Sequence, residues 1–275
     1  ADFPLSLPEN IGKVTLLGTD ALNGSFPNGL FRSPTWINIS ELSILEFSEV
    51  NFVEEDFLVG LEKLKFLSIS SCPMLERIDP DVFRSTPDLE ALHLDGNSYL
   101  KISVVEAALN GKVDNLKYLS LIGIQGKIRH VVLGENFSKA LSTKNLTYFD
   151  ISGVKTIFVE HVAAVQELLP KVKCLNLSYS TLLVPHGIKI PVDLYRNVEL
   201  VDVTSCTSLG QYAFRVGDST IRRNSFPNVK YIFAQQIADP NIQVRLNVRL
   251  TFEDLLLGLK MLDFSKNNIR IFNLT

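Results

Sequence analysis

The sequence predicts an α/β solenoid, a curved parallel sheet on its concave side with irregular chain and short helices on its convex side. Two observations predict it. An eleven-residue pattern, apolar at positions 1, 4 and 6, recurs ten times along the 275 residues, and all thirty of those positions are apolar at an overall hydrophobic content of 46%. The copies follow one another at 22 to 31 residues, the period range of repeat architectures.

The copies are IGKVTLLGTDA from Ile11, LSILEFSEVNF from Leu42, LKFLSISSCPM from Leu64, LEALHLDGNSY from Leu89, LKYLSLIGIQG from Leu116, LTYFDISGVKT from Leu146, VKCLNLSYSTL from Val172, VELVDVTSCTS from Val198, VKYIFAQQIAD from Val229 and LKMLDFSKNNI from Leu259. Positions 4 and 6 alternate as the inward face of a strand does, and position 1 turns the chain into it. This is the leucine-rich-repeat pattern, in which each copy hides its apolar face on its neighbours. A single domain over 1–275 follows, with 1–10 as the remnant of an amino-terminal cap. The end at FNLT, with no carboxy-terminal cap, suggests a fragment of a longer array.

Uniform strands put the extra length of the long copies on the outer side. ISVVEAAL (102–109), EHVAAVQELL (160–169) and TFEDLLLGL (251–259) have the periodicity of short helices. Phe31, Phe83 and Phe137 fall 19 to 21 residues after their copies begin, where an aromatic spine fills the convex half.

Position 9 is Asn in a regular array, where the carboxamide bonds to the backbone of neighbouring loops. Here it reads Thr19, Val50, Cys72, Asn97, Ile124, Val154, Ser180, Cys206, Ile237 and Asn267. The absence of Asn from copy 5 to copy 9 predicts altered curvature there. Cys72 and Cys206 fit as small buried residues in these slots. Cys174, at position 3, is expected on the concave face as a free thiol. Three cysteines are too few for a disulfide framework.

A net charge of −3 argues against nucleic acid as a partner. No stretch is apolar for long enough to span a bilayer, and no signal peptide opens the chain. Asn23, Asn38, Asn136, Asn145, Asn176 and Asn273 each begin an Asn-x-Ser/Thr sequon, as in secreted and cell-surface glycoproteins. Nucleophile elbows, phosphate loops and zinc signatures are absent. No cofactor or metal is expected, and no enzyme.

Position 3 carries Phe66, Tyr118, Tyr148, Cys174, Leu200, Tyr231 and Met261 on the concave side, with Phe233 at position 5 beside Glu46, Asp150, Asp202 and Asp263. A sugar on Asn176, also at position 5, would stand on that floor. It moves the expected ligand site to the lateral and convex sides, where Phe158, Val162, Ile190 and Phe214 accompany Arg215, Arg222 and Arg223. Apolar residues beside arginines suit an amphiphile with anionic groups. Tyr231 and Phe233 complete the candidate set.

DVFRSTPDLEALHLDGN (81–97), GLKMLDFSKNNIRIF (258–272), the uneven copies and the sequons resemble a Toll-like receptor ectodomain, and the spacings resemble an invertebrate or early-chordate member. The resemblance implies a pattern-recognition receptor of innate immunity, on the extracellular side of the cell membrane. Its ligand would be a microbial molecule or a protein co-receptor. Signalling would follow ligand-induced homo- or heterodimerisation, and the full-length protein would be membrane-anchored. The competing reading is a secreted or matrix leucine-rich-repeat module for adhesion.

Overall fold

The computed structural model describes residues 11–18, 24–27, 29–126, 130–142, 145–159, 171–183, 197–205, 228–233, 235, 260–263 and 265. The chain divides into two compact units, Ala1–Arg129 with Lys139–Leu146, and His130–Ser138 with Thr147–Thr275.

The first unit runs β1 (Lys13–Leu17), β2 (Glu41–Leu45), β3 (Phe52–Val53), β4 (Phe66–Ser70), β5 (Arg77–Ile78), β6 (Ala91–His93), α1 (Ile102–Leu109) and β7 (Tyr118–Ser120). Its main sheet has the order β1-β2-β4-β6-β7, parallel throughout. The register aligns Val14, Leu42, Leu67, Leu92 and Leu119. All but Val14, in the edge strand, are fully buried. The apolar period thus makes one continuous core from residues that no single copy could bury.

The register corrects one boundary. Leu42 pairs with Val14 and Leu67, which are at position 4 of their copies, so the second copy begins at Ile39 and not at Leu42. Ile39 is fully buried. A three-residue shift keeps apolar side chains at positions 1, 4 and 6, so hydrophobicity alone cannot choose between the frames. The shift puts Phe47, not Val50, in slot 9, and Ser43, not Glu46, in slot 5.

A backbone feature marks the same frame. From the second copy to the eighth, the slot-8 residue is left-handed: Glu46, Ser71, Gly96, Gly123, Gly153, Tyr179 and Ser205, with φ between 56° and 70°. At Gly96 this costs little, because glycine lacks the Cβ that makes the region unfavourable. The turn is latched by a backbone bond from the slot-8 N–H to the slot-7 carbonyl of the next copy, as in Ser71 to Asp95 at 2.8 Å and Gly96 to Ile122 at 2.7 Å.

Behind the sheet, β3 pairs with β5, and short 3-10 turns at Pro34–Trp36, Glu55–Leu58 and Val82–Ser85 bury Trp36, Phe57 and Phe83. Phe31 packs edge-on against both Trp36 and Phe57, with ring centroids 4.9 and 5.4 Å apart. Phe31, Phe83 and Phe137 are all buried, as the aromatic spacing predicts. Helix α1 matches the predicted 102–109. Its first N–H, on Ile102, donates to the buried Gln125 Oε1 at 2.7 Å, which satisfies one of the orphan donors of a helix start. The expected helices at 160–169 and 251–259 lie outside the described residues.

The second unit contains β8 (Val131–Leu133), β9 (Tyr148–Asp150), β10 (Thr156–Val159), β11 (Cys174–Asn176), β12 (Thr181–Leu183), β13 (Leu200–Asp202), β14 (Tyr231–Phe233) and β15 (Met261–Asp263). Its main sheet is β9-β11-β13-β14-β15 and a second sheet is β12-β10-β8, each parallel. After β8 comes α2 (Glu135–Ser142), of which the residues up to Ser138 belong to this unit. Its Phe137 lies 5.9 Å from the ring of Phe149.

Candidate binding face

On each main sheet, positions 4 and 6 are spent on the core. Positions 3 and 5 point the other way, and the parallel register lines them up in rows. In the second unit the position-3 row is Tyr148, Cys174, Leu200, Tyr231 and Met261. The position-5 row is Asp150, Asn176, Asp202, Phe233 and Asp263. Met261 is 45% exposed, and Tyr148, Cys174, Leu200, Tyr231 and Phe233 are half-buried. An apolar row thus stands beside a mostly acidic one.

The position-5 row is internally bonded. Asp150 is almost fully buried. Its carboxylate accepts from the Tyr148 hydroxyl at 3.0 Å, the Asn176 carboxamide at 2.8 Å and the Ser152 N–H at 2.9 Å. The Asn176 Oδ1 accepts the Ser178 N–H at 2.9 Å. Asp202 and Asp263 repeat that turn with the N–H groups of Thr204 and Ser265, each at 2.9 Å. A short polar side chain that bonds the backbone two residues on holds the strand end in place.

Position 2 forms a charged rim that hydropathy does not reveal. Glu199 lies 2.7 Å from Lys230 and 3.8 Å from Lys173. Glu90 of the first unit lies 2.7 Å from Lys117 and 3.6 Å from Lys65. The hydrogen bond and charge of Lys230 hold the Glu199 carboxyl below its usual range, and Lys117 does the same for Glu90. Lys230 is correspondingly raised by Glu199. Burial, and then the Glu199 charge, push the Cys174 thiol up. The alternation runs between copies, so only a comparison of position 2 at the repeat period could have found it.

The first unit's face is chemically different. Lys13 and Glu41 pair at 2.8 Å, and the rings of Phe66 and His93 meet edge to face at 5.0 Å. The Asp95 carboxylate accepts from Ser120 Oγ at 2.7 Å and from the Ile122 N–H at 2.9 Å, and His93 Nδ1 lies 3.7 Å from its other oxygen. The carboxylate therefore stands between hydroxyl and imidazole. Activation of a serine needs the imidazole against the hydroxyl. Among the described residues no three His, Cys, Asp or Glu side chains group as metal ligands.

Of the lateral candidates, Phe158 is half-buried in β10, paired with Val132 and Leu183 in the second sheet. Tyr231 and Phe233 lie on β14 of the main sheet. Phe158 is thus on a different sheet from the other two. Val162, Ile190, Phe214, Arg215, Arg222 and Arg223 fall outside the described residues, as do Asn23 and Asn273. The sequon residues Asn38, Asn136 and Asn145 are exposed, and Asn176 is half-buried. Sequence reasoning took Asn176 only as a sugar acceptor. The carboxylate one copy earlier, Asp150, was the available sign of a structural use.

No family profile and no curated protein matches the chain. Solved structures do. The human 5T4 protein (Wnt-activated inhibitory factor 1, trophoblast glycoprotein) superposes with a TM-score of 0.57 at 20% identity, over 74% of this chain and 72% of that one. The mouse RP105/MD-1 complex gives 0.52 at 16% identity, over 82% of this chain and 34% of the matched one. The Drosophila Toll–Spätzle complex gives 0.55 at 14% identity, over 80% and 29%. The chain therefore spans about a third of the matched chain in each of these two complexes. Together with the register of the two sheets, these likenesses make the chain a leucine-rich-repeat solenoid.

Proposed function

We propose that the chain is a protein-binding module of an extracellular receptor, a Toll-like ectodomain that dimerises on binding its ligand and acts without catalysis. The second unit's position-3 row carries the reading. Tyr148, Leu200, Tyr231 and Met261 present apolar surface in line across neighbouring strands, beside Phe233 and the part-exposed Asp202 and Asp263. Aromatic anchors of this kind dominate the energy of protein interfaces. The carboxylates favour a partner with basic residues near its apolar contact. Two of the similar solved structures are complexes with a second protein, MD-1 and Spätzle, which supports a protein as ligand. This reading moves the site from the lateral side to the sheet face, because Asn176 is bonded into that face and does not obstruct it.

The test is capture from a library of secreted proteins on the immobilised chain, compared with a Leu200→Ser/Tyr231→Ser/Phe233→Ser variant. The expected result is a protein held by the native chain and lost, by more than about tenfold in affinity, by the variant. Mixing that protein with the soluble chain should double the mass of the complex in light scattering. Equal capture by both chains would remove the sheet face from consideration. Capture at a constant one-to-one mass would favour the adhesion module.

A further inference from the structure

The described sequons fall into different slots of the repeat. Asn38 and Asn145 each stand immediately before position 1 of a copy, ahead of the buried Ile39 and Leu146. Asn38 is in a turn and Asn145 in a loop, both exposed, at the edge where the chain enters its strand. Asn176 is inside β11. One of its Nδ2 hydrogens goes to Asp150 in the neighbouring strand at 2.8 Å, and its Oδ1 holds the Ser178 N–H at 2.9 Å.

We propose that Asn38 and Asn145 carry N-linked glycans and that Asn176 carries none, because its carboxamide is a structural crossbar of the sheet face. Oligosaccharide transfer precedes folding, so the matter is settled by what a modified chain can fold into. A pyranose on Nδ2 would have to stand over strands about 4.8 Å apart, between the Asp150 carboxylate and the side chains of Tyr148 and Cys174. Displacing the amide would leave Asp150, which is 2% exposed, with only the Tyr148 hydroxyl and the Ser152 N–H as donors, and a lost bond to a buried charged group is costly. At Asn38 the Oδ1 accepts from the Lys63 Nζ at 3.0 Å, an exposed bond, and Asn38 and Asn145 are both at the surface, so a sugar there takes no donor from a buried carboxylate. The folded population is therefore bare at Asn176, and the face with Tyr231 and Phe233 stays open to a macromolecule. Glycosylation itself rests on the extracellular reading. The crossbar does not.

The experiment has two arms. The full chain is secreted from insect cells, deglycosylated enzymatically in heavy-oxygen water and mapped by peptide mass. Heavy-oxygen label is expected at Asn38 and Asn145 and not at Asn176. Label at Asn176 in the folded, secreted protein overturns the proposal. Absence of label at Asn38 or at Asn145 in protein recovered from the medium overturns the assignment of a glycan there. Failure of the chain to leave the cell counts against the extracellular reading instead. The second arm compares two variants of the secreted chain. Asn176→Leu removes both bonds and lowers Tm by several degrees. Ser178→Ala abolishes the sequon but keeps the Ser178 N–H, so Tm stays close to that of the native chain and the glycan mass does not change. Equal Tm values for the two variants would refute the crossbar, and a Ser178→Ala protein lighter by the mass of a glycan would refute the bare Asn176.

Discussion

Asn97 and Cys72 occupy slot 9 of consecutive copies, and the Asn97 Oδ1 accepts the Cys72 backbone N–H at 3.0 Å. The Asn97 Nδ2 donates to the carbonyls of Ile69 at 2.7 Å and Leu94 at 3.0 Å. One fully buried carboxamide thus serves three backbone groups in two copies. Cys72 fills its own slot as a small apolar residue, with its thiol pushed up by burial.

Asn97→Leu strips those groups of their partner inside the core. At about 1–3 kcal/mol for each buried unsatisfied group, reduced where a carbonyl keeps a second partner, the loss should reach roughly 3 kcal/mol. Trp36 is the chain's single tryptophan and is buried in the same unit, so its fluorescence in urea reports the shift in midpoint. Hydrogen exchange at the Cys72 amide should accelerate most. Unchanged exchange there would mean that Asn97 is not its essential partner.

Tyr179 is left-handed, with φ of 56°, and its side chain is 66% exposed, so it has little packing to lose. Tyr179→Gly should raise stability by up to about 1 kcal/mol, the relief of the left-handed penalty of roughly 1–2 kcal/mol less the entropy that glycine loses on folding. A lower thermal midpoint would show that the ring is held by a contact stronger than the strain.

The two rim glutamates give a pH dependence of known sign. Their folded pKa values lie below the unfolded ones. The stabilisation they bring is present above the ordinary glutamate range near pH 4.3 and disappears as pH falls through the lowered folded value. The Tm of the native chain should exceed that of Glu90→Gln/Glu199→Gln at pH 7, and the two should converge in acid. Added salt at neutral pH should also narrow the gap, because the rim is open to solvent on one side, its glutamates about a third exposed. A gap that persists at pH 2 would point to packing, not charge.

Cys174 is half-buried on the sheet face and Cys72 is buried. An alkylating reagent at neutral pH should therefore modify Cys174 before Cys72 in the folded chain. The rate at Cys174 should keep rising above the usual thiol pKa of about 8.5, since its thiol is raised by burial and by Glu199. Cys72 should react only as the unit unfolds. Equal rates at the two sulfurs in native buffer would contradict the burial of Cys72.

The strand of each copy was legible because burial at positions 1, 4 and 6 is a direct hydrophobic signal. Helix α1 was legible for the same reason. The frame of the second copy was not, because Ile39, Leu42 and Leu45 offer apolar residues three apart and satisfy either choice. What fixes it is the Gly18 N–H bonding to the Leu45 carbonyl at 2.7 Å, a backbone relation with no side-chain signature. Helix α2 escaped detection because ENFSKALS is mostly polar, with only Phe137, Ala140 and Leu141 apolar. The site was half-legible. Tyr231 and Phe233 could be placed on the face by counting, but the engagement of Asn176 with Asp150 depends on two residues 26 positions apart.

The left-handed latch at slot 8 makes successive copies interchangeable at a defined joint. Ser71 and Gly96 have nearly the same φ, 57° and 70°, and each hands its N–H to the following copy. Excising residues 72–96 would put Ser71 in the place of Gly96, with the same backbone direction and an equivalent bonding partner, the slot-7 carbonyl of the following copy. Slot 8 is therefore a natural crossover point, at which such a chain can gain or lose a whole copy in one genetic event without a frame of mismatched strands.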